Sequence, residues 1–224
     1  MAIKFTEFFY RKPGMLTKDF LQYWQEQHTG VVSAIEGLRR YVQNPLVGLL
    51  DEVALPYDGM VEVWFDSLES IDRLRKSDYW ETIVADELQF VDRPNLELFL
   101  SEETVPELPK AGFKRVFFLE KPQDMTPQEF EEINAENPVS NLNLPGLLNI
   151  QTMYPVAQPD DDPTPADDEL PKMLAADAVE IWRFESLVAL NEGISSDFMS
   201  GREKNHLETA RVTEKFSTQE RVIL

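Results

Sequence analysis

Only two side chains in this sequence, His28 and His206, titrate near neutral pH without help from their surroundings. At helical spacing Phe20, Trp24, His28, Val32 and Ile35 share one side, with Lys18, Gln22 and Glu26 on the other. An imidazole on such an apolar face can take a proton from a bound compound and return it elsewhere. It can equally be a core histidine whose ring nitrogens are simply satisfied. Glu62 is the second candidate. In the run MVEVWF, Met60, Glu62 and Trp64 alternate onto one face, which sets a carboxylate among aromatic and apolar neighbours. It would orient the imidazole or hold a second proton, or else be a buried carboxylate paired with Arg39 or Arg40. Tyr23, Tyr41 and Asn44 can steady a developing enolate oxygen, and Met60 and Trp64 can wall an apolar pocket. Trp64, like Trp24, also reads as an ordinary core aromatic.

Other chemistries are excluded. The chain has no cysteine, so it forms no disulfide or thiolate metal site, and two histidines cannot build a multi-histidine cage. Gly14 and Gly37 make no phosphate-cradling loop, and there is no Gly-x-Ser-x-Gly elbow. A formal charge of −20 and a pI near 4.4 argue against nucleic acid or an anionic membrane as partner. No apolar run approaches the roughly 18 residues of a membrane span, and MAIKFTEFFYRK lacks the order of a secretory signal. The expectation is a soluble cytoplasmic protein, without metal or cofactor, whose partner is a small hydrophobic or aromatic metabolite.

The elements that position these residues follow from pattern. Ile3–Tyr10 is rich in aromatic and β-branched residues on both alternating faces, which predicts a strand covered on both sides. The Pro13-Gly14 turn leads to Thr17 as N-cap of the His28 helix, with Gly37 closing it. Leu38–Gln43, Met60–Phe65 and Asn95–Ser101 read as strands, Leu46–Tyr57 as a loop, and Asp66-Ser67 as the cap of a helix that breaks near Ser77-Asp78 and resumes over Tyr79–Leu88. The order is β-α-β-β-α-β, that of a ferredoxin-like sheet.

That order then returns. Lys114–Leu119 answers the first strand, and MTPQEF at 125–130 answers MLTKDF at 15–20, with Thr126 capping, Pro127 at the first helical position and Glu129 completing a capping box. Leu144-Pro145-Gly146-Leu147 mirrors Ile35-Glu36-Gly37-Leu38. Val179-Glu180-Ile181-Trp182 mirrors Val61-Glu62-Val63-Trp64, with Arg183 as an extra residue before Phe184-Glu185-Ser186-Leu187. The prediction is an α+β chain of two tandem βαββαβ repeats, 1–105 and 112–224, joined by the polar segment Glu102–Ala111. The second carries an acidic, proline-rich insert, Ala157–Lys172, read as a solvated loop because it lacks the glycine and terminal glutamate of a calcium loop. Asn137 or Pro138 falls opposite His28, so acid–base chemistry is confined to the first repeat.

Arg11-Lys12-Pro13-Gly14-Met15, FLQYWQEQH ending at His28, GLRRYVQN ending at Asn44, DGMVEVWFDS over 58–67, and Asp86-Glu87 with Phe90 and Asp92 resemble the EthD family over roughly the first 105 residues. The resemblance implies a dimeric α/β barrel, here built within one chain by two ferredoxin-like repeats packed sheet to sheet around a pocket, with a homodimer of such chains as a further assembly. It implies isomerase, cyclase, dehydratase or decarboxylase chemistry on a small apolar, oxygenated or polyketide-like compound, since a first-helix histidine transfers protons in methylmuconolactone methylisomerase-like members and His28 matches it. Non-catalytic binding of a hydrophobic metabolite, a monooxygenase-type barrel, and His28 as a haem ligand are the alternatives.

Overall fold

A computed structural model of the chain describes residues 1–47, 55–103, 112–136, 144–156, 171–196 and 210–224. Strand β1 (Ala2–Phe9) is followed by α1 (Thr17–Tyr23), a π-helical turn (Trp24–His28), α2 (Thr29–Ser33), β2 (Leu38–Pro45), β3 (Gly59–Phe65), α3 (Leu68–Arg75), α4 (Asp78–Phe90) and β4 (Glu97–Glu103). The second half gives β5 (Phe113–Glu120), α5 (Pro127–Glu136), β6 (Leu147–Met153), β7 (Lys172–Met173), β8 (Ala178–Phe184), α6 (Leu187–Ile194), β9 (Arg211–Gln219) and β10 (Arg221–Val222). Their sheets run β10-β2-β3-β1-β4-β7 and β6-β8-β5-β9. Without the two short edge strands, each has the order second-third-first-fourth of a βαββαβ unit.

The halves repeat each other residue by residue. Leu38 pairs with Phe65 and, past a bulge, Arg40 with Trp64; Leu147 pairs with Phe184 and, past a matching bulge, Asn149 with Arg183. Gly37 and Gly146 both enter their strands at positive φ, 83° and 70°, where a Cβ would be strained. Ser67 and Ser186 cap α3 and α6 by accepting from the amides of Ser70 and Ala189. This frame corrects the expected match of Val61-Glu62-Val63-Trp64 with Val179-Glu180-Ile181-Trp182. β8 pairs with β5 without interruption, so Arg183 is no insertion, and it stands at the position of Trp64. A one-residue offset in a strand turns a side chain to the other face, and Glu180 accordingly sits under the helices, bonded by the Trp182 indole at 2.7 Å.

The sheets pack face to face. Phe8, Met60 and Phe99 from the first meet Val116, Phe118, Ile181 and Phe216 from the second in one buried cluster, with the Phe8 and Phe118 rings edge to face at 4.8 Å. Burying an aromatic or aliphatic side chain stabilises by about 1.5–3 kcal/mol, so this cluster holds the halves together. Both seams are also stitched: β10 pairs with β2, Leu46 bridges Thr218, and the Val156 amide reaches the Leu100 carbonyl at 3.0 Å. The architecture is the dimeric α/β barrel closed within one chain.

Two local expectations change. Leu16, in extended conformation, is the N-cap of α1, and Thr17 is already helical without a capping bond. α2 ends at Ser33, so Gly37 belongs to the turn into β2. The capping box forms as read, with the Thr126 amide on Glu129 at 2.8 Å and the Glu129 amide on the Thr126 hydroxyl at 3.2 Å. His206, Asn137, Pro138 and all but the end of the acidic insert lie outside the described residues, as does most of the linker.

Candidate functional site

The π turn explains how His28 comes to face the sheet. Side chains four apart drift by about 40° per step on an α-helix, so Phe20, Trp24, His28 and Val32 would spiral away from a flat support. The wider turn keeps all four buried. The Trp24 carbonyl within it accepts from the Gln43 amide on β2 at 2.8 Å and the Thr29 hydroxyl at 3.3 Å.

His28 is held from α4. Its Nδ1 lies 2.6 Å from Asp86 Oδ2, and the Tyr23 hydroxyl donates to Asp86 Oδ1 at 2.9 Å. Burial pushes the Asp86 carboxyl up, but the bonds from His28 and Tyr23 outweigh it and leave the group below its ordinary range. Burial, with the Asp86 bond, pushes the Tyr23 phenol to about 12. A carboxylate only accepts, so Nδ1 carries a proton, and in the neutral form of the ring the lone pair is on Nε2. Nε2 has no protein partner among the described residues.

Beside that ring, between α2, α3, α4 and the first sheet, is a pocket of ≈ 90 Å³ lined largely by apolar side chains such as Phe5, Val61, Val63 and Ile83, with His28, Tyr41, Glu7, Arg75 and Glu87 as its polar members. An apolar cavity of about 150 Å³ takes benzene, so one small ring is the scale of ligand here. A four-pyrrole macrocycle does not fit, and haem ligation by His28 is not supported by this geometry. The Tyr41 hydroxyl accepts from the Trp24 indole at 3.1 Å and the Gln43 amide at 3.0 Å, which leaves its own proton to donate. Burial, chiefly, raises its phenol.

Glu62, Asn44, Met60 and Trp64 are not part of this pocket. Alternation along β2 and β3 sends them through the sheet into the barrel. There Glu62 binds Lys4 at 2.6 Å and, across the halves, Lys114; Asn44 donates to it at 3.1 Å. The two lysines are twins, opposite Trp64 and Arg183 respectively, and each has a further carboxylate: Glu103 at 3.0 Å from Lys4, Glu220 at 3.3 Å from Lys114. Met60 packs in the aromatic cluster and Trp64 lies 4.9 Å from the Lys4 ammonium. Arg39 pairs with exposed Asp66 at 2.6 Å, not with Glu62. The shared hollow expected between the sheets is, around these residues, a packed and charge-paired interior. Tyr23 and Tyr41 stay beside His28.

The register shows how the halves differ at the pocket's positions. Glu7, Tyr41 and Val63 correspond to Phe117, Ile150 and Trp182, which pack into the second half's own apolar cluster. Sequence reasoning missed three things here: the π turn, the role of Asp86, and Glu7. A strict spacing of four from Phe20 to Val32 signals the first. Glu7 is a charged residue on the Phe5-Phe9 face of a strand otherwise apolar there. Asp86 stood in the EthD-like motif but only coordinates pair it with His28. Among the described residues no His/Cys/Asp/Glu cluster is arranged to hold a metal, and no helix is long and apolar enough to cross a membrane.

Residues 12–94 match the family model described as the EthD domain. Curated proteins give no match. Among solved structures, an anthrone oxidase-like protein aligns over 99% of this chain and 93% of its own, at 12% identity and a TM-score of 0.63. A candidate monooxygenase from Fusobacterium nucleatum aligns over 100% and 93%, at 10% identity and 0.57. A variant of the chlorite dismutase of Candidatus Nitrospira defluvii aligns over 99% and 92%, at 11% identity and 0.56. Identities this low carry the fold alone.

Proposed function

We propose that the protein catalyses cofactor-independent proton transfer at this pocket, on a small, largely apolar, oxygenated compound; the residues that match the EthD domain model, 12–94, include His28, Asp86 and most of the pocket's lining, with Phe5 and Glu7 preceding them. The observation that supports this reading is the Asp86–His28 pair: a carboxylate holds the ring of a histidine that lines a largely apolar pocket. His28 takes a proton from carbon and returns it, and Tyr41 donates to the oxygen on which charge develops. An isomerase or lyase of this kind needs no redox partner. Apolar walls around a ring-sized space support a compact substrate, and Glu62 takes no part beyond holding the barrel together.

The test is hydrogen exchange in D2O with cyclohex-3-enone as probe, followed by proton NMR. Wild type exchanges the probe's α-hydrogens faster than buffer; His28→Ala, folded by circular dichroism, loses this by on the order of 10²–10⁴-fold. Equal rates in the two proteins exclude His28 as the base. Saturable binding without exchange in wild type favours the non-catalytic binding of a hydrophobic metabolite instead.

A further inference from the structure

Glu7 stands in the middle of β1, on its helix-facing side between Phe5 and Phe9, and borders the same pocket as His28 and Tyr41. Among the described residues its carboxyl makes no hydrogen bond, and the side chain is half-buried where it borders the pocket. The cation that acts on it, Arg93, is already ion-paired to Glu87. Tyr41 lines the same pocket, and beyond the effect of burial the charges of Glu7 and Asp86 raise its phenol. At the corresponding place the second half has Phe117, and the carboxyl on that face comes instead from Glu180, opposite Phe117 and bonded by the Trp182 indole. A carboxyl without a hydrogen-bond partner and an imidazole lining one cavity make a candidate acid and base at a shared site.

We propose that Glu7 is the second proton-transfer group of this pocket, acting opposite His28, and that the pair handles ring-sized compounds with an enolisable carbonyl beside a carbon–carbon double bond. This rests on the proton-transfer reading above. For a β,γ-unsaturated ketone, Nε2 takes the α-proton: the C–H bond breaks, an N–H bond forms, and the electron pair moves toward the carbonyl oxygen. That oxygen takes the proton of Glu7, giving a neutral dienol, an imidazolium and a carboxylate. The imidazolium then protonates the γ-carbon, and Glu7 recovers the enol proton as the conjugated ketone forms. Atoms and electrons balance without a cofactor. Burial supplies the acid form, since it pushes the Glu7 carboxyl up to about 7 although Arg93 pulls it down. The charged groups around it are Arg93 and Glu87 at and after the end of α4, Asp86 on α4, Arg75 on α3, and His28.

Conversion of cyclohex-3-enone to cyclohex-2-enone, read by the ultraviolet absorbance of the conjugated product, tests this in the full chain. Glu7→Gln, which keeps the shape, lowers isomerisation by on the order of 10²-fold or more and removes from the pH profile the limb at which activity declines near neutrality. Wild-type rate and profile in Glu7→Gln, with His28→Ala inactive, overturn the role of Glu7 and leave the proton-transfer reading standing. Failure of wild type both to isomerise the probe and to exchange its α-hydrogens overturns both. Should Glu7→Gln not fold, a carbon-13 titration of the Glu7 carboxyl in wild type decides: titration near neutrality supports the assignment, and titration in the ordinary carboxylate range overturns it.

Discussion

Replacing Glu62 by Gln removes one negative charge from between two ammonium groups, and the structure sets the scale of the loss. Glu62 is 2% exposed, Lys4 1%, and their nitrogen and oxygen lie 2.6 Å apart; Lys114 reaches the other carboxylate oxygen from the second half. Breaking one buried pair costs about 3–5 kcal/mol, because the partner is left as an uncompensated charge. Here two partners are affected, but each retains a second carboxylate, Glu103 or Glu220. A single-pair figure is therefore the expectation for Glu62→Gln. In a chain of this length about 2–4 °C of melting temperature accompanies each kcal/mol, which gives a drop of roughly 6–20 °C. The assay is urea unfolding with thermal melts in parallel, at pH 7. A double replacement, Lys4→Met with Glu62→Leu, should not regain full stability, since it leaves Glu103 without its lysine, whereas adding Glu103→Leu should recover part of it by removing that stranded carboxylate. A change below about 1 kcal/mol in Glu62→Gln would show that the charges across the barrel stabilise it no more than an exposed pair does.

Asp86→Asn should keep the fold and lower proton transfer by on the order of 10²-fold, because an amide can accept or donate and no longer fixes the ring tautomer; exchange of cyclohex-3-enone in D2O checks it. Gly146→Ala should destabilise more than Gly37→Ala in urea: both need positive φ, at about 1 kcal/mol or more, but at Gly146 the new Cβ would meet the Ala189 Cβ at 2.4 Å while at Gly37 nothing lies within 4 Å. Acid should unfold the protein below pH of about 4.5, as measured by tryptophan fluorescence. Burial pushes Glu62 up, but Lys114 and Lys4 hold its carboxyl far below the ordinary 4.5 of a glutamate, so its contribution is present above that value and lost as pH falls through the folded one. Glu7 has the opposite sign. Raised from 4.5 to about 7 by burial, it costs wild type stability as pH climbs through that window, so Glu7→Gln should match wild type below it and be the more stable protein at pH 8.

The order of elements, the repeat and the barrel were legible because alternation, caps and turn glycines are local signals that the fold preserves: Ser67, Ser186, Thr126, Gly37 and Gly146 each stand where the chain requires them. His28 was legible as a group on an apolar face. Which side of the sheet each candidate reaches was only half legible. Alternation groups Met60, Glu62 and Trp64 correctly, yet whether that face meets helices or the opposite sheet is decided by packing of segments more than 50 residues away, as with Lys114. The Val-Glu-x-Trp echo misled for a related reason. Four similar letters recur, but the bulges at Leu38 and Leu147, which set the register, are made by strand pairing and leave no mark in composition.

A barrel assembled from two identical chains must change every position twice, and so carries its cavity in duplicate. Joining the halves lifts that obligation. Phe117, Ile150 and Trp182 pack into an apolar cluster where Glu7, Tyr41 and Val63 line a pocket. Each half is free to change alone, so a substitution at Glu7 alters the pocket beside His28 and leaves its counterpart position as it was.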